Sequence, residues 1–170
     1  MNIFKKLFYI AAFLVFLVFN IPIPICLDVK SIELKATNLE YYEYRFVQID
    51  GYFSFNLLTE SRFRGQIIVS GHNITHNKML ELRLRNHRGT FKGVIEYYKV
   101  SESGINRPQR YMFGVMHTRF LFRDTIIVLF EDYITEDGTN VSISSALTTP
   151  VIVLNVDTFE DAKQTIDLFE

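Results

Sequence analysis

From Ile32 to Leu154 polar and apolar side chains alternate with a period of two, and that alternation is what strands buried on one face require. Ile32-Glu33-Leu34-Lys35-Ala36 alternates cleanly, and Tyr42, Tyr44 and Phe46 share one face while Glu43 and Arg45 share the other. Asp50-Gly51 between Ile49 and Tyr52-Phe53-Ser54-Phe55 carries the residue pair favoured in two-residue hairpins, so a turn is expected there. Gly65 to Val69, Leu80 to Arg85, Phe91 to Val100, Tyr111 to His117 and Val151 to Leu154 read as further strands. Between them, Asn86 to Gly89 and Glu136 to Asn140 read as turns, and Ser101 to Pro108 as a loop. Thr125 to Phe130 contains Ile126-Ile127-Val128-Leu129, apolar at successive positions, as a strand buried on both faces would be. Only the tail changes period. Phe159, Ala162, Ile166 and Phe169 fall on one helical face, with Asp157 or Thr158 placed to cap its first turn. The expected fold is mainly β: an antiparallel β-sandwich or partly open β-barrel, with an N-terminal membrane helix and a C-terminal amphipathic helix.

The N-terminal helix is inferred from hydropathy. Lys5-Lys6 precedes an apolar run, Leu7 to Phe19, which matches the core of an export signal and falls short of the ~20 residues that span a bilayer. Counting on to Leu27, with only Asn20 polar, makes a membrane anchor, its helix broken near the outer end by Pro22 and Pro24. Small residues suited to signal cleavage are lacking near its end, and Pro24-Ile25 before Cys26 do not suit lipoprotein processing. The expected division is therefore residues 1–27 as signal or anchor and 28–170 as a single β-rich domain. Basic residues before the run keep the N-terminus cytoplasmic and send the domain out of the cytoplasm, as a membrane or secreted protein. The single cysteine agrees with export and allows no internal disulfide.

Net charge of −1 gives no general attraction to nucleic acid, and none is expected as a partner. No Gly-rich phosphate loop, nucleophile elbow or paired Cys-x-x-Cys motif is present, so no cofactor and no catalytic residues are nominated. His72 and His76 have the spacing of a helical metal pair, but their segment reads as strand end and loop with no third ligand, and no metal is expected. Asn73-Ile74-Thr75 and Asn140-Val141-Ser142 fit the glycosylation acceptor pattern at the rate chance allows. Tyr41, Tyr42, Tyr44, Tyr97 and Tyr98 are candidates to line a groove or, more plainly, to cover the edges of the core. The candidate binding residues are Arg83, Arg85, Arg88 and Lys92, on one hairpin, with Arg107 and Arg110 as possible additions. Such a patch suits anionic headgroups, a wall polymer or an acidic partner, and equally a solvated strand face that resists edge pairing. Ser61-Arg62-Phe63-Arg64 before Ile67-Ile68-Val69 echoes Thr118 to Arg123 before Ile126-Ile127-Val128, which suggests two equivalent corners.

The Lys-Lys apolar leader, Ser31-Ile32-Glu33-Leu34, Tyr41 to Gly51 and the Phe113-Gly114 strand together resemble small exported or membrane-anchored β-rich proteins of unassigned function from low-GC Gram-positive bacteria. That resemblance implies a location and no activity. Three functions are compatible with the residues: contact with a protein partner or the cell envelope, carriage of a small molecule or lipid in a barrel cavity, and hydrolysis by residues the fold assembles.

Overall fold

The computed structural model describes residues 3, 5–10, 13, 21–34, 42–56, 59–99, 109–134, 140–143 and 150–169. Their strands are β1 (Ile23–Leu34), β2 (Tyr42–Ser54), β3 (Ser61–Val69), β4 (Leu82–His87), β5 (Thr90–Lys99), β6 (Gln109–Thr118), β7 (Thr125–Leu129), β8 (Glu131–Ile134), β9 (Asn140–Ile143) and β10 (Val151–Leu154). Helix α1 (Phe159–Asp167) follows. Eight strands close into an antiparallel barrel in the order β1-β10-β7-β6-β5-β4-β3-β2, while β8 and β9 form a separate hairpin between β7 and β10. Closure pairs β1 with β2 from Ile23 to Leu34 and β1 with β10 over Ser31–Leu34. The chain enters the barrel at one end, where Ile23 pairs with Phe53, and β1 leaves at the far end, where Leu34 pairs with Tyr42.

Inward positions fill the barrel. Val47, Ile49, Phe53, Phe63, Ile67, Val69, Leu82, Leu84, Ile95, Tyr97, Met116, Ile127 and Ile152 are all buried in one cluster. At the entry end, Phe53 meets Phe91 and Phe122 edge to face, each at 6.0 Å between centroids, a favoured ring geometry. A second cluster lies outside the wall. Ile32 and Leu34 of β1, Ile126 of β7 and Val153 of β10 pack under Ala162 of α1, joined by Phe159, Ile166 and Phe169. The helical face read from the tail is thus the face that packs, and Thr158 caps it by accepting from the Asp161 amide at 3.2 Å. The β7 run is apolar throughout for the same reason: Ile127 and Leu129 belong to the interior and Ile126 to the helix-covered side, with Val128 half-buried.

Three expectations are corrected. Asp50-Gly51 makes no hairpin, because β2 runs straight through it and pairs Gly51 with Gly65 of β3. A Cβ on Gly51 would lie 2.4 Å from the Arg64 carbonyl oxygen and 2.7 Å from Gly65 Cα, so glycine serves close backbone approach there. The two-residue turn falls instead at Arg88-Gly89, both with positive φ (52° and 86°), as the twist of a tight hairpin demands. Second, residues 23–27, counted with the leader on hydropathy, form the first part of β1 and pair with β2, with Ile25 buried in the core and Cys26 exposed. No helix among the described residues is long and apolar enough to cross a membrane. Residues 5–10 are helical, while 11–12 and 14–20 lie outside the described residues. Third, the echoed segments are not equivalent: Ser61 to Arg64 opens β3, whereas Thr118 to Arg123 ends β6 and enters a 3-10 turn.

Candidate binding groove

Strands β4 and β5 are joined by the Arg88-Gly89 turn, which places Arg85 opposite Lys92. Leu82 and Leu84 face the core, so period two sends Arg83 and Arg85 outward. Arg83, Arg85 and Lys92 thereby line one groove of about 760 Å³ on the outer wall of β4, β5 and β6. Lys78 and Arg110 line it too, and Leu80, Gly93, Val94, Val115 and Tyr98 contribute to its surface. Arg88 does not line the groove; it sits on the turn at the entry end. Arg107 lies outside the described residues.

The acidic residues of this wall were not picked out by pattern. Glu60, Glu81 and Glu96 alternate with the bases around the groove. Arg85 Nε donates to Glu60 Oε1 at 2.6 Å, and Arg110 stands 4.0 Å from Glu96. Glu81 accepts from Arg64 and lies 3.6 Å from Arg62 and 4.0 Å from Arg83. The hydrogen bond from Arg64, with the charges of Arg64, Arg62 and Arg83, holds the Glu81 carboxyl below the usual carboxylate range against a smaller upward push from burial. Arg85 does the same for Glu60. Two lysines, Lys78 and Lys92, have no carboxylate within ion-pair distance among the described residues. The groove is therefore a surface of mixed sign. Val94, 41 % exposed, and Met112 on the neighbouring strand, 47 % exposed, supply apolar area beside it.

A second polar group sits at the far end of the barrel, where Ser31, Glu33, Glu43 and Arg45 continue the inward positions of β1 and β2. Arg45 Nε donates to Glu33 Oε2 at 2.7 Å, and Arg45 also donates to Glu43. His72 Nε2 lies 3.1 Å from the same Glu33 oxygen. Burial alone would raise the Glu33 carboxyl, but hydrogen bonds from His72 and Arg45 and their charges prevail, holding it below its ordinary value. His72 is held by the connection between β3 and β4: Gln66 Nε2 donates to the carbonyls of Thr75 and Asn77, both at 2.6 Å, and Thr75 Oγ1 donates to His72 O at 2.7 Å. Gly71, at φ 83°, leaves room for Arg45, whose Nη1 would stand 2.3 Å from a Cβ there. The two histidines four apart are thus separated in role: His72 closes the barrel mouth, and His76 is exposed at the end of a 3-10 turn. Among the described residues, no group of three or more His, Cys, Asp or Glu side chains is arranged to hold a metal ion.

The tyrosines do not converge either. Tyr42 and Tyr44 stand on the outer face of β2, Tyr98 lines the groove on β5, and Tyr97 is buried and donates its hydroxyl to Ile67 O; Tyr41 lies outside the described residues. Of the acceptor triplets, Asn73 is exposed with Thr75 buried beside it, and Asn140 begins β9. No protein family, curated protein or solved structure matches this chain.

Proposed function

We propose that this chain is a membrane-tethered β-barrel, displayed outside the cytoplasm, that acts by contact with a protein partner through the groove on β4, β5 and β6. The observation that carries the reading is where the open space lies. The void at the entry-end mouth, bordered by Leu27, Ile49, Phe122, Arg123, Leu154 and Asn155, is about 120 Å³, well below the roughly 300 Å³ at which small-molecule pockets begin. The groove outside is about 760 Å³. Carriage of a lipid or small molecule needs the first space; contact needs the second. Mixed charge favours a protein over an anionic surface, because paired bases give register and selectivity in place of bulk attraction. Val94 and Met112 are the apolar anchors such a contact would bury.

The tether rests on the leader. Leu7, Phe8, Ile10 and Phe13 are each more than half exposed, an apolar surface that a bilayer covers. With β1 starting at Ile23, the run before it is somewhat short of ~20 residues, and Lys5 and Lys6 can extend their stems to the interface to lengthen it. Basic residues on its N-terminal side orient the barrel outward.

The test is a photo-crosslinking residue placed at Val94, in the groove, and at Gln48, exposed on β2, in chains expressed in their native host. The reading expects a discrete adduct from position 94 and none from 48. Equal adducts from both positions, or none from either, overturn it.

A further inference from the structure

The apolar run of the sequence reaches the first strand of the barrel. Ile21 and Pro22 are the only described residues between the leader and Ile23, which already pairs with Phe53 of β2. With residues 7–20 taken up by the bilayer, two residues remain before Ile23, so the end where the chain enters lies next to the headgroups. What that end displays agrees with this. Tyr52, 59 % exposed, is opposite Pro24, and Ile21, two residues before β1, is 55 % exposed. Tyrosine is enriched at membrane interfaces because its ring is apolar and its hydroxyl is wet. The connections at this end are the β2–β3 loop, the Arg88-Gly89 turn, the β6–β7 turn and the β10–α1 connection, where Asp157 stands 3.8 Å from Lys30. Arg85 is paired with Glu60 and Arg119 with Asp124 at 3.6 Å. Arg88 and Arg123 are exposed, with no carboxylate within ion-pair distance among the described residues.

We propose that the entry end of the barrel rests on the bilayer surface, with Tyr52 at the interface and Arg88 and Arg123 facing anionic lipid headgroups. The inference rests on the tether reading above and adds an orientation to it. Attraction to headgroups fades within about 8 Å at physiological salt. The far end stands roughly 20–25 Å higher, given the strand rise and barrel tilt. Only entry-end charges feel the lipid. The β4–β6 wall is then held upright, side-on to the membrane and open to a partner.

The experiment uses the full chain with Cys26→Ser, reconstituted in vesicles of phosphatidylcholine with phosphatidylglycerol. Single cysteines carry a fluorophore: His87→Cys and Thr59→Cys at the entry end, His76→Cys and Asn73→Cys at the far end, all exposed positions. Headgroup-nitroxide lipid should quench the entry-end pair several-fold more than the far-end pair. Arg88→Glu with Arg123→Glu should reduce that difference in anionic vesicles while leaving flotation unchanged. Flotation with equal quenching at both ends, or stronger quenching at the far end, overturns the orientation and leaves the tether standing. A chain that does not float with vesicles overturns both. A difference that survives the double substitution and is unchanged in pure phosphatidylcholine removes the arginine–headgroup contact.

Discussion

Glu33 accepts from Arg45 and His72 through one oxygen, with its own side chain 8 % exposed, so its charge is the one the barrel mouth depends on. Glu33→Gln keeps the shape and removes the charge, and should cost about 1.5–3 kcal/mol in chemical denaturation, the range for hydrogen bonds to charged groups. The sign of the pH dependence follows from the direction of the shift. A carboxyl held below its unfolded value of 4.5 contributes fully above that pH and loses its contribution as the pH falls through the folded value. His117 acts in a separate window. Burial, and then the charge of Lys92, push its imidazole below 6.5, and its Nδ1 is buried with no hydrogen-bond partner among the described residues. The unfolded chain therefore takes up this proton first, and stability drops as the pH falls through 6.5. His117→Gln should flatten the stability profile between about pH 7 and 5 and leave the acid limb to the lowered carboxyls of Glu33, Glu60 and Glu81; an unchanged profile would remove His117 as its cause. At this scale the alternation of Arg83 and Arg85 was legible. Their acidic partners were not, since Glu60 meets Arg85 across 25 residues of chain and only the β3–β4 register, Ser61 opposite Leu84, brings them together.

Among the elements, β2 separates local pattern from tertiary demand. Asp50-Gly51 has the chemistry of a turn, but a straight β2 keeps pairing on both sides, with Tyr52 opposite Pro24 of β1 and Arg64 of β3. Full ladders on two neighbours outweigh one local preference. Gly51→Ala should therefore cost about 1–3 kcal/mol, as overpacking does, because the obstacle at 2.4 Å is backbone that cannot swing aside. Gly89→Ala meets no atom within 4 Å among the described residues and should cost only the strain of its positive φ. Equal costs in thermal denaturation would mean that the strands relax around a Cβ at Gly51 and that close backbone approach is not what the glycine serves. The packing face of helix α1 was legible, because a 3.6 period stands out in a chain of period two, although the pattern ran on to Phe169 and the helix ends at Asp167. Its docking place was not, because Ile32 and Leu34 look like core positions whether the inside or the outside of a barrel covers them.

For the whole molecule, β content was legible and closure was not: a period of two specifies which face is buried and is silent on whether the last strand meets the first. The decisive contribution comes from β1, whose early part reads as leader because Ile23, Ile25 and Leu27 are apolar. A chain of residues 23–170 should fold as a complete barrel. A chain of residues 28–170 loses the pairing from Ile23–Phe53 to Leu27–Ile49 along with buried Ile25, and should be destabilised by several kcal/mol, a large share of a small domain's total. Circular dichroism with urea titration compares them, and equal midpoints would return residues 23–27 to the leader. The account as a whole stands on a filled interior that leaves the outer wall to do the binding. Native mass spectrometry of residues 23–170, purified without denaturant, tests this most directly. The account predicts the mass of the bare chain; a stoichiometric lipid or other apolar molecule carried through purification would contradict it.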